Sequence, residues 1–81
     1  MSEKTAKAFN TLHEKMLESE QYRQGYQAGL RNIRHLFAMS IEALKDSRRR
    51  HLGMHNQFAA GWARAMQEVI WEKMRLGGEA A

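Results

Sequence analysis

The chain has 81 residues, a net charge of +4 and no cysteine. A single domain of about this length buries only about 60% of the surface that its unfolded form exposes, so its stability alone is marginal and a homodimer is expected. Without cysteine, neither disulfides nor Cys-based metal sites can add stability. The sequence has no apolar run of membrane-span length and begins too polar for a signal peptide, which favours a cytoplasmic protein.

The composition predicts an all-α fold. Proline is absent, strong helix formers are abundant, and no stretch alternates as a β-strand does. The expected architecture is a small antiparallel helical hairpin with an additional N-terminal helix, assembled as a dimeric helical bundle in one domain.

The first predicted helix covers residues 3–18, with Ser2 as a plausible N-cap. Whether it ends at Ser19 is open, because the surrounding residues include no glycine or proline. A turn there would place Phe9 opposite Gly29 in an antiparallel pair. Without the turn, one very long helix would need a partner chain to cover it. We favour the turn.

The second predicted helix covers residues 20–52 and is the organising element of the chain. Its apolar and small residues recur at steps of three and four, which places them on one helix face. They are Tyr22, Tyr26, Gly29, Leu30, Ile33, Phe37, Ser40, Ile41 and Leu44. Basic residues fill its last two turns, and Gly53 follows as the expected left-handed residue.

The third predicted helix covers residues 56–76, with Asn56 as its N-cap and a wide apolar stripe. Gly77 and Gly78 end it, and residues 77–81 are expected to fray. Trp71 lies off the stripe, so this large side chain is expected to face outward as a contact for a subunit or a target.

A short sequence pattern, here called the internal echo, occurs in both the second and the third predicted helix at an offset of 36 residues. It aligns Gly25 with Gly61, Tyr26 with Trp62, and Gly29 with Ala65. Glycine within a helix costs about 1 kcal/mol relative to alanine, so these glycines indicate close backbone approach. The predicted helix-packing residues are Gly25, Gly29, Gly61, Tyr26 and Trp62.

The predicted hairpin gives these glycines different neighbours. A turn at Gly53 places Lys45 opposite Gly61. It leaves Gly25 and Gly29 beyond the reach of the third helix. They would then face the first helix, a second subunit or solvent.

The sequence offers no catalytic or metal-binding constellation. His51 and His55 have i, i+4 spacing, but Gly53 interrupts the helix that would align them, and no carboxylate cluster lies near them in the sequence. There is no phosphate-binding glycine loop and no suggestive nucleophile and base. We therefore expect no metal, no cofactor and no enzymatic activity.

Positive charge concentrates between residues 21 and 55. The basic candidate partner contacts are Arg31, Arg34, Arg48, Arg49 and Arg50. On one continuous helix, Arg31, His35, Lys45 and Arg49 would share a face able to contact phosphates, although Glu42 interrupts it. Such a patch attracts an acidic protein surface or a nucleic acid, and it also suits a helix C-terminus that binds nothing.

These patterns favour a non-catalytic adaptor, regulator or inhibitor that binds a larger protein, of the kind common among small phage or mobile-element proteins. The six methionines and two tryptophans support adaptable apolar contacts. The alternative is a nucleic-acid-associated protein that uses the basic end of the central helix.

Overall fold

A computed structural model describes residues 3–77, with side chains from Lys7 onward. Within this range the chain forms five α-helices that pack compactly, so the all-α prediction is confirmed. The helices are α1 (Glu3–Met16), α2 (Glu20–Arg31), α3 (Ile33–Ala38), α4 (Ile41–Gly53) and α5 (Gln57–Leu76). The predicted cap at Ser2 and the predicted fraying after Gly77 lie outside the described residues.

The chain turns between α1 and α2, so a continuous helix over residues 3–52 is wrong. Ser19 has an extended backbone, and its Oγ accepts a hydrogen bond from the backbone N–H of Tyr22 at 3.4 Å. The Ser19 hydroxyl also donates to Gln57 at the start of α5. One serine thus caps α2 and ties its N-terminus to that of α5.

The predicted single helix over residues 20–52 is also wrong, because it breaks first at Asn32. The backbone N–H of Asn32 donates to the carbonyl of Gly29 at 3.1 Å, as in a tighter final turn. Its side-chain Nδ2 donates to the carbonyl of Ala28 at 2.8 Å. A short polar side chain that bonds the local backbone competes with helix continuation, which explains the break.

The second break is at residues 39–40, where both backbones are extended. The Oγ of Ser40 accepts a hydrogen bond from the N–H of Ala43 at 3.1 Å and caps α4. Lys73 of α5 donates to the carbonyl of Phe37 at 3.0 Å, which gives the end of α3 a partner. The periodicity predicts that Ser40 lies within the apolar stripe of one helix. In the structure Ser40 is instead the N-cap of α4.

Helices α2 and α5 run parallel and approach closely through their small residues. A Cβ on Gly61 would lie 2.5 Å from the backbone nitrogen of Tyr26. A Cβ on Gly29 would lie 2.5 Å from the Cβ of Ala65. A Cβ on Gly25 would lie closer still to the backbone carbonyl of Phe58. These contacts leave no room for a side chain, so the glycines set the distance between the two helices.

The two copies of the internal echo therefore contact each other. Gly25 lies against Gly61, and Gly29 lies against Ala65. The expectation that the first two glycines are beyond the reach of the third helix is wrong. So is the pairing of Lys45 with Gly61. The breaks in the predicted central helix let the chain reverse, which brings α2 rather than α4 to the face of Gly61.

Helices α4 and α5 pack while running in opposite directions. The ring centroids of His51 and Trp62 lie 6.1 Å apart, and Arg48 donates a hydrogen bond to the side chain of Gln67. The left-handed residue in the intervening turn is His55, with φ of 55°, whereas Gly53 is the last residue of α4. The expected role of Gly53 as the left-handed residue is therefore wrong.

The core lies where α3 and α4 meet the middle of α5. Its buried members are mainly large aliphatic side chains around one alanine: Leu36, Leu44, Ala65, Met66, Val69 and Ile70. Leu44 has no exposed surface and Leu36 has almost none. Leu36 thereby anchors the short α3, which at six residues would not be stable in isolation.

Candidate functional site

The arginine run of α4 is divided between two environments. Arg48 is half-buried and donates to the buried side chain of Gln67. Arg49 and Arg50 are exposed, and each lies near Asp46, with nitrogen to oxygen distances of 4.0 and 3.4 Å. Consecutive residues on a helix differ by about 100° in direction, so three of them cannot share one face.

The predicted continuous basic face does not form. Arg31 ends α2 and Arg34 lies on the short α3, and both are exposed. The breaks at Asn32 and at residues 39–40 separate them from the basic residues of α4. Only Arg49 and Arg50 of the predicted basic partner-binding set stay together on an exposed surface.

Trp71 is half-buried rather than outward-facing, which corrects the expectation from its position off the stripe. The ring of Phe9 on α1 meets it edge-on, with centroids 6.3 Å apart. The guanidinium of Arg64 lies over its ring, 5.1 Å from the centroid. Helix α1 folds over this face of α5, so Trp71 has partners within its own chain.

A polar cluster centred on Arg64 joins α1, α2 and α5. The Nε of Arg64 donates to Glu68 at 2.8 Å, and its Nη2 donates to Asn10 at 2.8 Å. The hydroxyl of Tyr26 donates to both carboxylate oxygens of Glu68, at 2.8 Å each. The side chain of Arg64 is only 11% exposed. The sequence signal for this cluster is the i, i+4 spacing of Arg64 and Glu68, which sequence reasoning missed.

The tyrosines of the cluster hold their protons firmly. Burial and the hydrogen bond to Glu68 raise the pKa of Tyr26 to about 12. Burial raises the pKa of Tyr22 as well. Both hydroxyls therefore keep their protons near neutral pH, and that of Tyr26 donates to Glu68, a role that suits a structural contact.

His13 links α1 to α2. Its Nδ1 and the hydroxyl of Tyr22 form a hydrogen bond of 2.7 Å, and its ring meets that of Tyr26 edge-on at 4.7 Å. Burial, followed by the nearby Arg64 cation, lowers the pKa of His13 below 6.5. The folded state therefore favours the neutral imidazole.

This lowered pKa predicts that acid weakens the fold. Above about pH 6.5 histidine is neutral in both states, and the full stability is present. As the pH falls from there through the lower pKa of folded His13, the unfolded state binds the proton first and stability is lost. The melting temperature should thus fall less between pH 7.5 and 5.5 in His13→Gln than in the wild type.

The matched control is His35→Gln, which removes an exposed histidine of α3 far along the chain from this contact. Thermal melts by circular dichroism at both pH values measure the effect. If His35→Gln reduced the acid response as much as His13→Gln does, the assignment to the His13 contact would be wrong.

The turn between α4 and α5 exposes three large apolar side chains, here called the turn patch. Leu52, Met54 and Phe58 are 53%, 57% and 44% exposed. Arg49 and Arg50 lie directly before the patch on α4 and are also exposed. The turn patch and these two arginines thus combine apolar surface with positive charge within ten residues of sequence.

A partly open cavity of about 150 Å³ lies between α1 and the helices α2, α4 and α5. Its apolar walls come from Phe9, Leu12, Met16, Leu52, Ala60 and Ala63. Its polar lining residues are His13, Tyr22, Arg48, Arg64 and Gln67. The exposed lining of the cavity is mainly apolar, and the cation of Arg64 is paired with the carboxylate of Glu68.

No family model, curated protein or solved structure matches the chain. No helix between residues 3 and 77 is both long and apolar enough to cross a membrane. Among the side chains described from Lys7 onward, no group of three or more His, Asp or Glu residues is placed to hold a metal ion.

Proposed function

We propose that this protein is a non-catalytic binding module that acts as an adaptor, regulator or inhibitor by contacting a larger protein through the turn patch. The observation that carries the proposal is the exposure of Leu52, Met54 and Phe58 beside Arg49 and Arg50. Large exposed apolar side chains that lie together on a surface often mark a binding site.

The composition of the turn patch suits a protein partner. Phe and Met are enriched at protein interfaces, and the unbranched Met54 can adapt to the shape of its partner. Apolar residues at the centre with arginines at the edge match the usual layout of an interface. The partner would cover the apolar side chains and place its own polar groups around them.

Charge favours a partner with an acidic surface. Arg49 and Arg50 have side chains that are 79% and 69% exposed, and the chain as a whole carries +4. Exposed charges at the edge of an interface mainly accelerate association. Replacing both arginines with glutamine should therefore slow association and reduce its salt dependence, with a smaller effect on dissociation.

A nucleic-acid-associated role is the alternative, and the basic residues of α4 give it some support. Against it, Asp46 lies within 4.0 Å of both Arg49 and Arg50, and Glu42 lies 4.0 Å from Lys45. These carboxylates weaken the attraction of any anionic partner, but nucleic-acid binding depends on it more, because phosphate contacts supply most of its affinity whereas a protein interface also has an apolar centre. Sub-micromolar binding of labelled duplex or single-stranded DNA or RNA at about 0.15 M salt would favour the alternative.

Homodimerisation is a separate prediction based on chain length. Gly25, Gly29 and Trp71 give no support to a dimer, because all three have partners within the chain. Light scattering at micromolar concentration should give twice the 9.4 kDa mass of one chain. A monomer that persists at high concentration would contradict this prediction.

The decisive test of the protein-binding proposal compares Met54→Glu with Leu76→Glu. Both side chains are more than half exposed, but Leu76 ends α5 far from the turn patch in sequence. A partner is first captured from nuclease-treated native lysate and purified. Its affinity for each variant is then measured by calorimetry.

We expect Met54→Glu to weaken binding by about 10-fold or more, since burying an unpaired carboxylate in an apolar contact is costly. Leu76→Glu should bind like the wild type. Equal weakening by both variants, or none by Met54→Glu, would exclude the turn patch as the binding site.

A further inference from the structure

We propose that the cavity between α1 and the helices α2, α4 and α5 binds a small uncharged apolar molecule, such as an aromatic hydrocarbon of about the size of toluene. This inference goes beyond the proposed protein binding and does not depend on it. It rests on the size of the cavity, its apolar walls and the pairing of its polar side chains.

The volume of the cavity suits a single aromatic ring. The cavity measures about 150 Å³. An apolar cavity of about this volume in another protein binds benzene. Protein interiors contain few voids larger than a water molecule, because unfilled space forfeits dispersion contacts of the surrounding side chains. A ligand that fills the cavity would restore those contacts.

The surface that faces a ligand is mainly apolar and comes from three helices. The apolar walls are Phe9, Leu12 and Met16 of α1, Leu52 of α4, and Ala60 and Ala63 of α5. One ligand would therefore contact α1, α4 and α5 together. Walls of this kind provide apolar contact on several sides of an aromatic ring.

The cation of Arg64 is not presented to a ligand. Its Nε donates to Glu68 and its Nη2 donates to Asn10, at 2.8 Å each. Its Nη1 is buried and presents almost no surface to the cavity. A carboxylate or phosphate in the cavity would lose hydration without gaining this cation as a partner, which is costly.

The other polar lining side chains are paired with one another. Arg48 donates a hydrogen bond to Gln67, and His13 shares one with Tyr22. Water is held firmly in a cavity only where about two to four polar partners reach it. An apolar ligand would therefore displace loosely held water, an exchange that increases affinity. The pairing of the polar side chains thus favours an uncharged ligand without hydrogen-bonding groups.

The cavity is accessible from solvent beside α1. Phe9 and Leu12 of α1 and Leu52 of α4 line it, and each is about half exposed. A ligand can therefore enter between α1 and α4 without separating α2 from α5. Since the ligand would contact α1 and α5 together, binding should strengthen the attachment of α1 and raise the melting temperature.

The test is an NMR titration of the full chain with toluene and, as the charged probe with the same ring, benzoate. We expect toluene to bind with a Kd of about 1 mM or below, and benzoate at least about 10-fold more weakly. Intermolecular nuclear Overhauser effects should join the protons of toluene to the methyl groups of Leu12, Leu52 and Ala63. Absence of saturation by about 5 mM toluene, or equal binding of benzoate, would overturn the proposal.

Two variants test the assignment to this cavity. Ala60→Leu fills the cavity and leaves its polar pairs in place, and Leu12→Glu puts a carboxylate into an apolar wall at a residue that is 54% exposed. Each should weaken toluene binding by about 10-fold or more. The control Ala43→Leu enlarges an exposed alanine of α4 outside the cavity and should bind like the wild type.

The exposed position of Leu12 keeps the test valid even if Ala60→Leu does not fold. Circular dichroism shows which variants are folded. A folded Ala60→Leu, or a folded Leu12→Glu, that binds toluene like the wild type would show that the cavity is not the site.

Failure here is distinguishable from failure of the protein-binding proposal. Met54→Glu changes the turn patch and should leave toluene binding unchanged, since Met54 does not line the cavity. If Met54→Glu weakened toluene binding as much as Ala60→Leu does, the ligand would lie outside the cavity and the assignment would be wrong.

Discussion

Replacing Gly61 with alanine should destabilise the fold by about 3 kcal/mol, at the upper end of the usual cost of overpacking. The added Cβ would lie 2.5 Å from the backbone nitrogen of Tyr26 and 2.9 Å from the carbonyl carbon of Gly25. Backbone atoms cannot rotate away as a side chain can, so α2 and α5 must move apart. The loss is measured by urea unfolding.

Gly53→Ala is the matched control for this prediction. Gly53 is also helical, but a Cβ there would meet nothing within 4 Å. Helix propensity alone then applies, and alanine should stabilise by about 0.5–1 kcal/mol. If Gly61→Ala stabilised the protein as Gly53→Ala does, the close approach of α2 and α5 would be wrong.

Leu44→Ala should cost about 2–5 kcal/mol, because it removes a side chain with no exposed surface from the centre of the core. The deletion loses buried apolar area and leaves a space between α4 and α5. In a domain of this size each kcal/mol lowers the melting temperature by roughly 4–8 °C, so calorimetry resolves the effect easily.

Leu52→Ala is the control for the core prediction. The two leucines lie on the same helix, but Leu52 is 53% exposed. We expect its replacement to cost well under about 1 kcal/mol, as surface changes usually do. A similar loss from both variants would mean that α4 packs through a different face.

The sequence predicts the all-α class and the limits of α5 well, because both depend on composition and local signals. The prediction of one central helix over residues 20–52 is wrong. Periodicity continues through Asn32 and Ser40, whose short polar side chains bond the nearby backbone and end or begin helices there. Periodicity records which face is buried and does not show where a helix breaks.

The candidate sites are less predictable. The echo indicates close approach at Gly25, Gly29 and Gly61, but which helices meet depends on how the chain reverses. Arg49 and Arg50, the last two arginines of the run, are exposed, as expected for a helix end. The cavity and the cluster around Arg64 require α1 to fold onto α5, and few signals in the sequence specify that contact.

The parallel crossing of α2 and α5 positions the turn patch, the cavity and the Arg64 cluster. Nuclear Overhauser effects test it most directly. If α2 and α5 cross as described, we expect cross-peaks from the α-protons of Gly25 to those of Phe58 and Gly61. Sequential helical contacts should also be interrupted at residues 39–40. Uninterrupted helical contacts across residues 20–52, without any cross-peak between Gly25 and α5, would contradict it.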